Sequence, residues 1–126
     1  IKHMLAKGNA GSIVNIASIA GRRPLPGASD YCVSKAAVIM LTQTVATEYS
    51  TSNIRVNAIG PGFIETPMTA NIRQSPEWMD TVMQMTPMQR MGQANEIAST
   101  ALFLASEESS YFTGQTLFPN GGMFTG

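Results

Sequence analysis

Two short runs of β-forming residues, Ser12-Ile13-Val14-Asn15-Ile16-Ala17 and Ile54-Arg55-Val56-Asn57-Ala58-Ile59, stand on either side of a segment that runs from about Asp30 to about Tyr49 without glycine or proline. Strands separated by a helix of that length pair in parallel, because an antiparallel partner needs only a tight turn. The first run is apolar on both faces apart from Asn15, the pattern of a buried parallel strand. Further on, Ala94, Ile97, Ala98, Ala101, Leu102 and Ala105 recur at helical spacing, which predicts an amphipathic helix from about Ala94 to about Ser106. Gln115-Thr116-Leu117-Phe118 reads as a last strand, stopped by Pro119-Asn120-Gly121-Gly122. The order helix tail, strand, helix, strand, excursion, helix, strand implies an α/β fold with a parallel sheet and right-handed crossovers.

Local signals fill in the connections. Ile1 to Lys7 reads as the tail of a helix stopped by Gly8-Asn9-Ala10-Gly11, so the chain is expected to be the later part of a longer protein. Ser18 to Gly27 holds two glycines and two prolines and reads as a loop, with Ser29 or Asp30 the expected cap of the helix that follows. Ala36 to Leu41 makes that helix apolar nearly all round, as for a helix packed on a sheet on one side and on another subunit on the other. Residues 63–92 are broken by Pro67, Pro76 and Pro87 and carry six of the nine methionines. Adaptable thioether side chains there suit either a mobile cover over a pocket or an ordinary helical excursion with a soft core.

Composition narrows the function. Eight basic residues balance eight acidic ones, which points away from nucleic acid. No apolar run is long enough to span a bilayer. The lone Cys32 forms no internal disulfide and fits a reducing, cytoplasmic setting. Charged residues make up only 13% of the chain against 44% hydrophobic ones, so apolar surface is expected to be covered by a partner or by segments not in the chain.

The chemistry centres on Tyr31 and Lys35. Four apart on a helix, they share a face, and an ammonium beside a phenol favours the phenolate. Such a phenol can exchange a proton with an alcohol or carbonyl oxygen. Ligands of open parallel sheets gather beyond the carboxyl ends of the strands. Ser18 lies at that end of the first strand and Gly60-Pro61-Gly62 at that end of the second, so a hydroxyl, a phenol and an ammonium are expected to converge.

Asn15-Ile16-Ala17-Ser18, Tyr31-Cys32-Val33-Ser34-Lys35, Asn57 to Thr66, and Thr113-Gly114-Gln115 with Gly121-Gly122 together resemble the short-chain dehydrogenase/reductase family, in that family's order and over essentially the whole chain. The resemblance implies a Rossmann-like, doubly wound sheet and hydride exchange between NAD or NADP and a small alcohol or ketone. It implies that Ser18 polarises the substrate oxygen, that Tyr31 is the acid/base, and that Lys35 holds the nicotinamide ribose and tunes Tyr31. It gives Pro61 and Gly62 as the turn that approaches the nicotinamide, Ile64 and Thr66 as partners of the carboxamide, and residues from Met68 to Met91 as a substrate lid. It implies a homo-oligomer, dimer or tetramer, built on the apolar helix.

The family's glycine-rich turn, its adenosine-ribose selector and a catalytic asparagine are missing, since Gly8-Asn9-Ala10-Gly11 lies between helix tail and strand. The chain therefore reads as the carboxyl-terminal half, 1–126, of one NAD(P)-binding domain, with a lid at about 63–92 and a first strand left with an open edge. Asn120 stands where the family usually has aspartate, a change expected to matter little. His3 reads as a surface residue, Cys32 as a small packed hydrophobe, and Arg22 and Arg23 as a solvated loop pair. Asn15 and Asn57 are expected to satisfy buried backbone, and Glu65 to face solvent. A truncated, non-enzymatic relative serving as an assembly or binding module, and a lyase or epimerase on the same scaffold, are the alternatives.

Overall fold

A computed structural model describes residues 1–125. In chain order the elements are α1 (Lys2–Lys7), β1 (Gly11–Ile16), α2 (Ser29–Tyr49), β2 (Ile54–Ile59), α3 (Ala70–Gln74), α4 (Pro76–Met85), α5 (Ala94–Ala105) and β3 (Thr116–Leu117). The three strands form a parallel sheet in the order β1-β2-β3, with Gly11 opposite Ile54 and Ile16 opposite Ile59. This is the α/β, partial Rossmann-like architecture that the strand–helix–strand order implies.

Alternation along β2 sets the layers, since successive side chains of a strand point to opposite faces. Ile54, Val56 and Ala58 pack against α2 through Ala46 and Ile39. Arg55 and Asn57 reach the other face. Arg55 donates to the carbonyls of Leu104 and Ser106 at 3.1 and 3.0 Å and so satisfies the last turn of α5, whose carbonyls have no partner within the helix. Ser12 Oγ of β1 joins it on Leu104 O at 2.6 Å. Asn57 donates to Phe112 O and accepts from Gln115 N, which holds β3 beside β2, the backbone role expected of it.

Several expectations are corrected. β1 is half-buried rather than buried, and Ile16 is 53% exposed, because β1 is the outer strand of the described sheet. Asn15 does not bond backbone. Its amide donates to Thr42 Oγ1 at 2.9 Å, and Thr42 in turn donates to Val38 O, tying β1 to α2. Neither Ser29 nor Asp30 caps α2. The cap position is Ala28, without a side-chain bond. Pro76 lies at the break between α3 and α4, as expected of a breaker, and also opens α4 behind Ser75, which accepts from Trp78 N, because proline's missing N–H is harmless in a first turn. β3 is shorter than the expected Gln115 to Phe118. Cys32 is half-buried but has a polar contact, with Leu25 N donating to its Sγ at 3.4 Å. Arg23 is no solvated side chain: its guanidinium donates to Met123 O at 2.8 Å. His3 and Glu65 are exposed, as expected.

Along α2 the side away from the sheet is open in the single chain: Val33 is 70% exposed, Met40 61% and Leu41 57%. Among the described residues no helix is long and apolar enough to cross a membrane, and no cluster of side chains could hold a metal ion.

Candidate active site

A pocket of about 490 Å3 opens at the carboxyl ends of β1 and β2. Its walls include Ser18, Tyr31, Lys35, Pro61, Gly62, Ile64 and Thr66, all seven residues singled out from the sequence. Ile16 and Ala17 at the end of β1, Pro67, Met68 and Thr69 from the start of the excursion, and Ala94 and Ile97 from α5 complete it. Lys35 is the one charged residue among these walls.

Each side chain has a local reason for its place. Ser18 follows β1, is 8% exposed and accepts from Ala20 N at 3.1 Å, so it caps the short 3-10 turn Ile19–Gly21. A hydroxyl that accepts one bond still has its own proton to donate. The cap was not anticipated, although a serine two residues before the acceptor's partner is a common local pattern. Ile19 N donates to Pro61 O at 3.1 Å, which ties the Ser18 loop to the turn after β2. Gly21 lets the same loop lie directly on α2: a β-carbon there would come 2.8 Å from the backbone C and O of Lys35. That close approach brings the Ser18 loop beside the first turns of α2.

Tyr31 and Lys35 sit one turn apart near the start of α2. The Lys35 ammonium lies 5.6 Å from the centre of the Tyr31 ring and donates to Ile16 O at 3.1 Å. The carbonyl at the end of β1 thus pins the ammonium against the phenol, within the range of a cation–π contact. Among the described residues the Tyr31 hydroxyl has no hydrogen-bond partner. Tyr31 as a whole is 37% exposed.

The turn Gly60-Pro61-Gly62 is held from behind. Gly62 N donates to Pro119 O at 3.1 Å, and a β-carbon at Gly62 would come 2.8 Å from Asn120 Cα. Only glycine fits this crossing. Beyond it, Ile64 pairs with Gly92 in a parallel bridge that closes the base of the excursion. Thr69 Oγ1 donates to Ile64 O at 2.6 Å and accepts from Thr66 N at 3.1 Å, so these two backbone groups are already engaged. At the other end of the excursion Arg90 grips Glu96 with both nitrogens, while Glu96 accepts from Gln93 N and caps α5. The Arg90 guanidinium, with the Gln93 amide, lowers the Glu96 carboxyl to about 2. The carboxylate in return raises the Arg90 guanidinium.

Lys35 and Tyr31 give the pocket an ammonium and a phenol that could hold hydroxyl groups such as those of a ribose, beside the glycine turn at Gly62.

Parallel strands covered by helices on both faces, with a pocket beyond their carboxyl ends, are the features of a doubly wound, Rossmann-like fold. The family model described as enoyl-(acyl carrier protein) reductase matches residues 1–124, and the chain belongs to the short-chain dehydrogenase/reductase family. It is similar to 3-oxoacyl-(acyl-carrier-protein) reductase of Thermotoga maritima, with 46% identity over 123 residues, covering 98% of this chain and 49% of the relative. Among solved structures, gluconate 5-dehydrogenase from Burkholderia cenocepacia, in complex with NADP and tartrate, superposes with a TM-score of 0.92 at 35% identity, over 97% of this chain and 48% of that one. A 4-hydroxyisoleucine dehydrogenase complexed with NADH gives a TM-score of 0.96 at 33% identity, over 99% of this chain and 51% of that one. The chain spans about half the length of the relatives it matches.

Proposed function

We propose that this chain is the reacting half, 1–126, of one NAD(P)-binding domain, in an oxidoreductase that moves hydride between NAD(P) and a small alcohol or ketone, with residues 63–92 as its lid. The observation that carries this reading is the shared pocket: Ser18, Tyr31 and Lys35 line one cavity, with the Lys35 ammonium 5.6 Å from the Tyr31 ring. The NADP and NADH held by the two structural neighbours support the cofactor class.

When bound, the dinucleotide supplies or accepts the hydride. In the reducing direction the carbonyl oxygen of the substrate takes a hydrogen bond from Ser18 Oγ–H and the proton from Tyr31 Oη–H, so the ketone leaves as an alcohol. The phenolate that remains is stabilised by the Lys35 ammonium, a developing charge met by a preorganised one. In the oxidising direction the phenolate removes the alcohol proton. Lys35 also holds ribose hydroxyls, Pro61 and Gly62 let backbone approach the nicotinamide, and Ile64 and Thr66 meet its carboxamide. Met68, Ala94 and Ile97 supply apolar walls beside the reacting carbon. A second copy of the chain covers Val33, Met40 and Leu41 on the outward face of α2, giving a homo-oligomer.

Isotope transfer tests the chemistry. The native polypeptide, given NADH or NADPH carrying deuterium at the reactive nicotinamide carbon and a panel of ketones, is expected to place deuterium on the carbinol carbon of a product. Consumption of a substrate with no deuterium transferred in any reaction would overturn hydride transfer in favour of a lyase or epimerase. No reaction with any ketone, or with the corresponding alcohols and the oxidised cofactors, would favour a binding module.

A further inference from the structure

The Ser18 loop and the turn after β2, which wall the pocket, and the far end of the excursion are all fastened to one short turn, Pro119 to Met123. Gly62 N donates to Pro119 O at 3.1 Å and holds the turn after β2. Met88 N donates to Gly121 O at 3.0 Å and holds the far end of the excursion. Arg23 Nη1 donates to Met123 O at 2.8 Å and holds the loop that begins at Ser18. Asn120 keeps the turn in shape, its Oδ1 accepting from Gly122 N at 2.9 Å and its Nδ2 donating to Phe124 O at 3.0 Å. Asn120 and Met123 are both buried, at 9% and 7% exposure.

Of these three ties only that of Arg23 is made by a side chain. It is also charge-assisted, the stronger kind of hydrogen bond. Arg23 is not among the pocket walls and so does not meet the ligand in this arrangement. We infer that Arg23 is a positioning residue: through Met123 O it fixes the Ser18 loop to the same turn that supports Pro61 and Gly62, and so sets the distance between the Ser18 hydroxyl and the nicotinamide side of the pocket. The inference rests on the proposed oxidoreductase reading for its effect on rate, but the tie itself is a statement about backbone order.

The test has two independent arms, run on the native polypeptide. In hydrogen exchange, Arg23→Met is expected to speed exchange of the Ile19 amide, which donates to Pro61 O, by about tenfold, the change that loss of one charge-assisted hydrogen bond supports. The Val56 amide in the core strand is expected to keep its wild-type rate. In kinetics, with NADPH or NADH and the ketone found by the isotope experiment, Arg23→Met is expected to lower kcat about tenfold with KM for the cofactor changed less than twofold. Arg23→Lys, which keeps a cationic donor on a long stem, is expected to restore both readouts to within about threefold of wild type, and it serves should the methionine variant not fold. Unchanged Ile19 exchange, equal acceleration at Val56, or a folded lysine variant as impaired as the methionine one would overturn the assignment. A wild-type protein without hydride transfer would instead defeat the oxidoreductase reading, and the exchange arm would still decide the tie.

Discussion

Asn120 carries two jobs that one carboxylate could not combine. Its oxygen accepts from Gly122 N, which aspartate would also do, but its amide donates to Phe124 O, which aspartate cannot. Replacing it by aspartate leaves a part-buried carbonyl without its donor and sets a charge against it. Asn120→Asp is therefore expected to cost about 1–3 kcal/mol in urea unfolding, rather than little, and an unchanged midpoint would show the amide to be idle. Residues whose chemistry depends on near neighbours were legible in the sequence. Tyr31 and Lys35 are an i, i+4 pair, and Ser18 follows a strand by one loop position. Residues whose partners lie far along the chain were not: Arg23 meets a carbonyl one hundred positions away, and Arg55 reaches carbonyls some fifty positions on. No local spacing encodes such contacts, so Arg23 reads as half of a solvated loop pair and Arg55 only as one residue of a strand.

Elements show the same division. The long α2 follows from an unbroken run without glycine or proline and the amphipathic α5 from periodicity, whereas the half-buried state of β1 depends on what lies beside it and not on its own apolar pattern. The start of α5 is set by Glu96, which caps the helix through Gln93 N and pairs with Arg90 at the close of the excursion. Its carboxyl is held down from 4.5 to about 2, so the folded state favours the ionised form. The sign follows directly: the contribution is complete above pH 4.5, declines as pH falls towards about 2, and vanishes below it. Wild type is therefore expected to exceed Glu96→Gln in unfolding midpoint at neutral pH, with the two curves converging between those values. A constant gap across that window would contradict the pairing.

Taken whole, the molecule presents a pocket at the carboxyl ends of its parallel strands and an apolar flank along α2. Val33, Met40 and Leu41 form a stripe on that flank, and a charge placed in it is incompatible with burial against a second copy. Leu41→Glu is expected to lower the mass seen in light scattering of the native polypeptide by at least half, whereas an unchanged oligomer would put the interface elsewhere. The central claim lies in the pocket, where one phenol transfers the proton while others bind. It is tested most directly by turnover in Tyr31→Phe, which removes only the hydroxyl. The account predicts loss of at least about a thousandfold in kcat, in the upper range of a single proton-transfer group, with the fluorescence-measured Kd for NADH or NADPH within about threefold of wild type. A phenylalanine variant that turns over at the wild-type rate would contradict it.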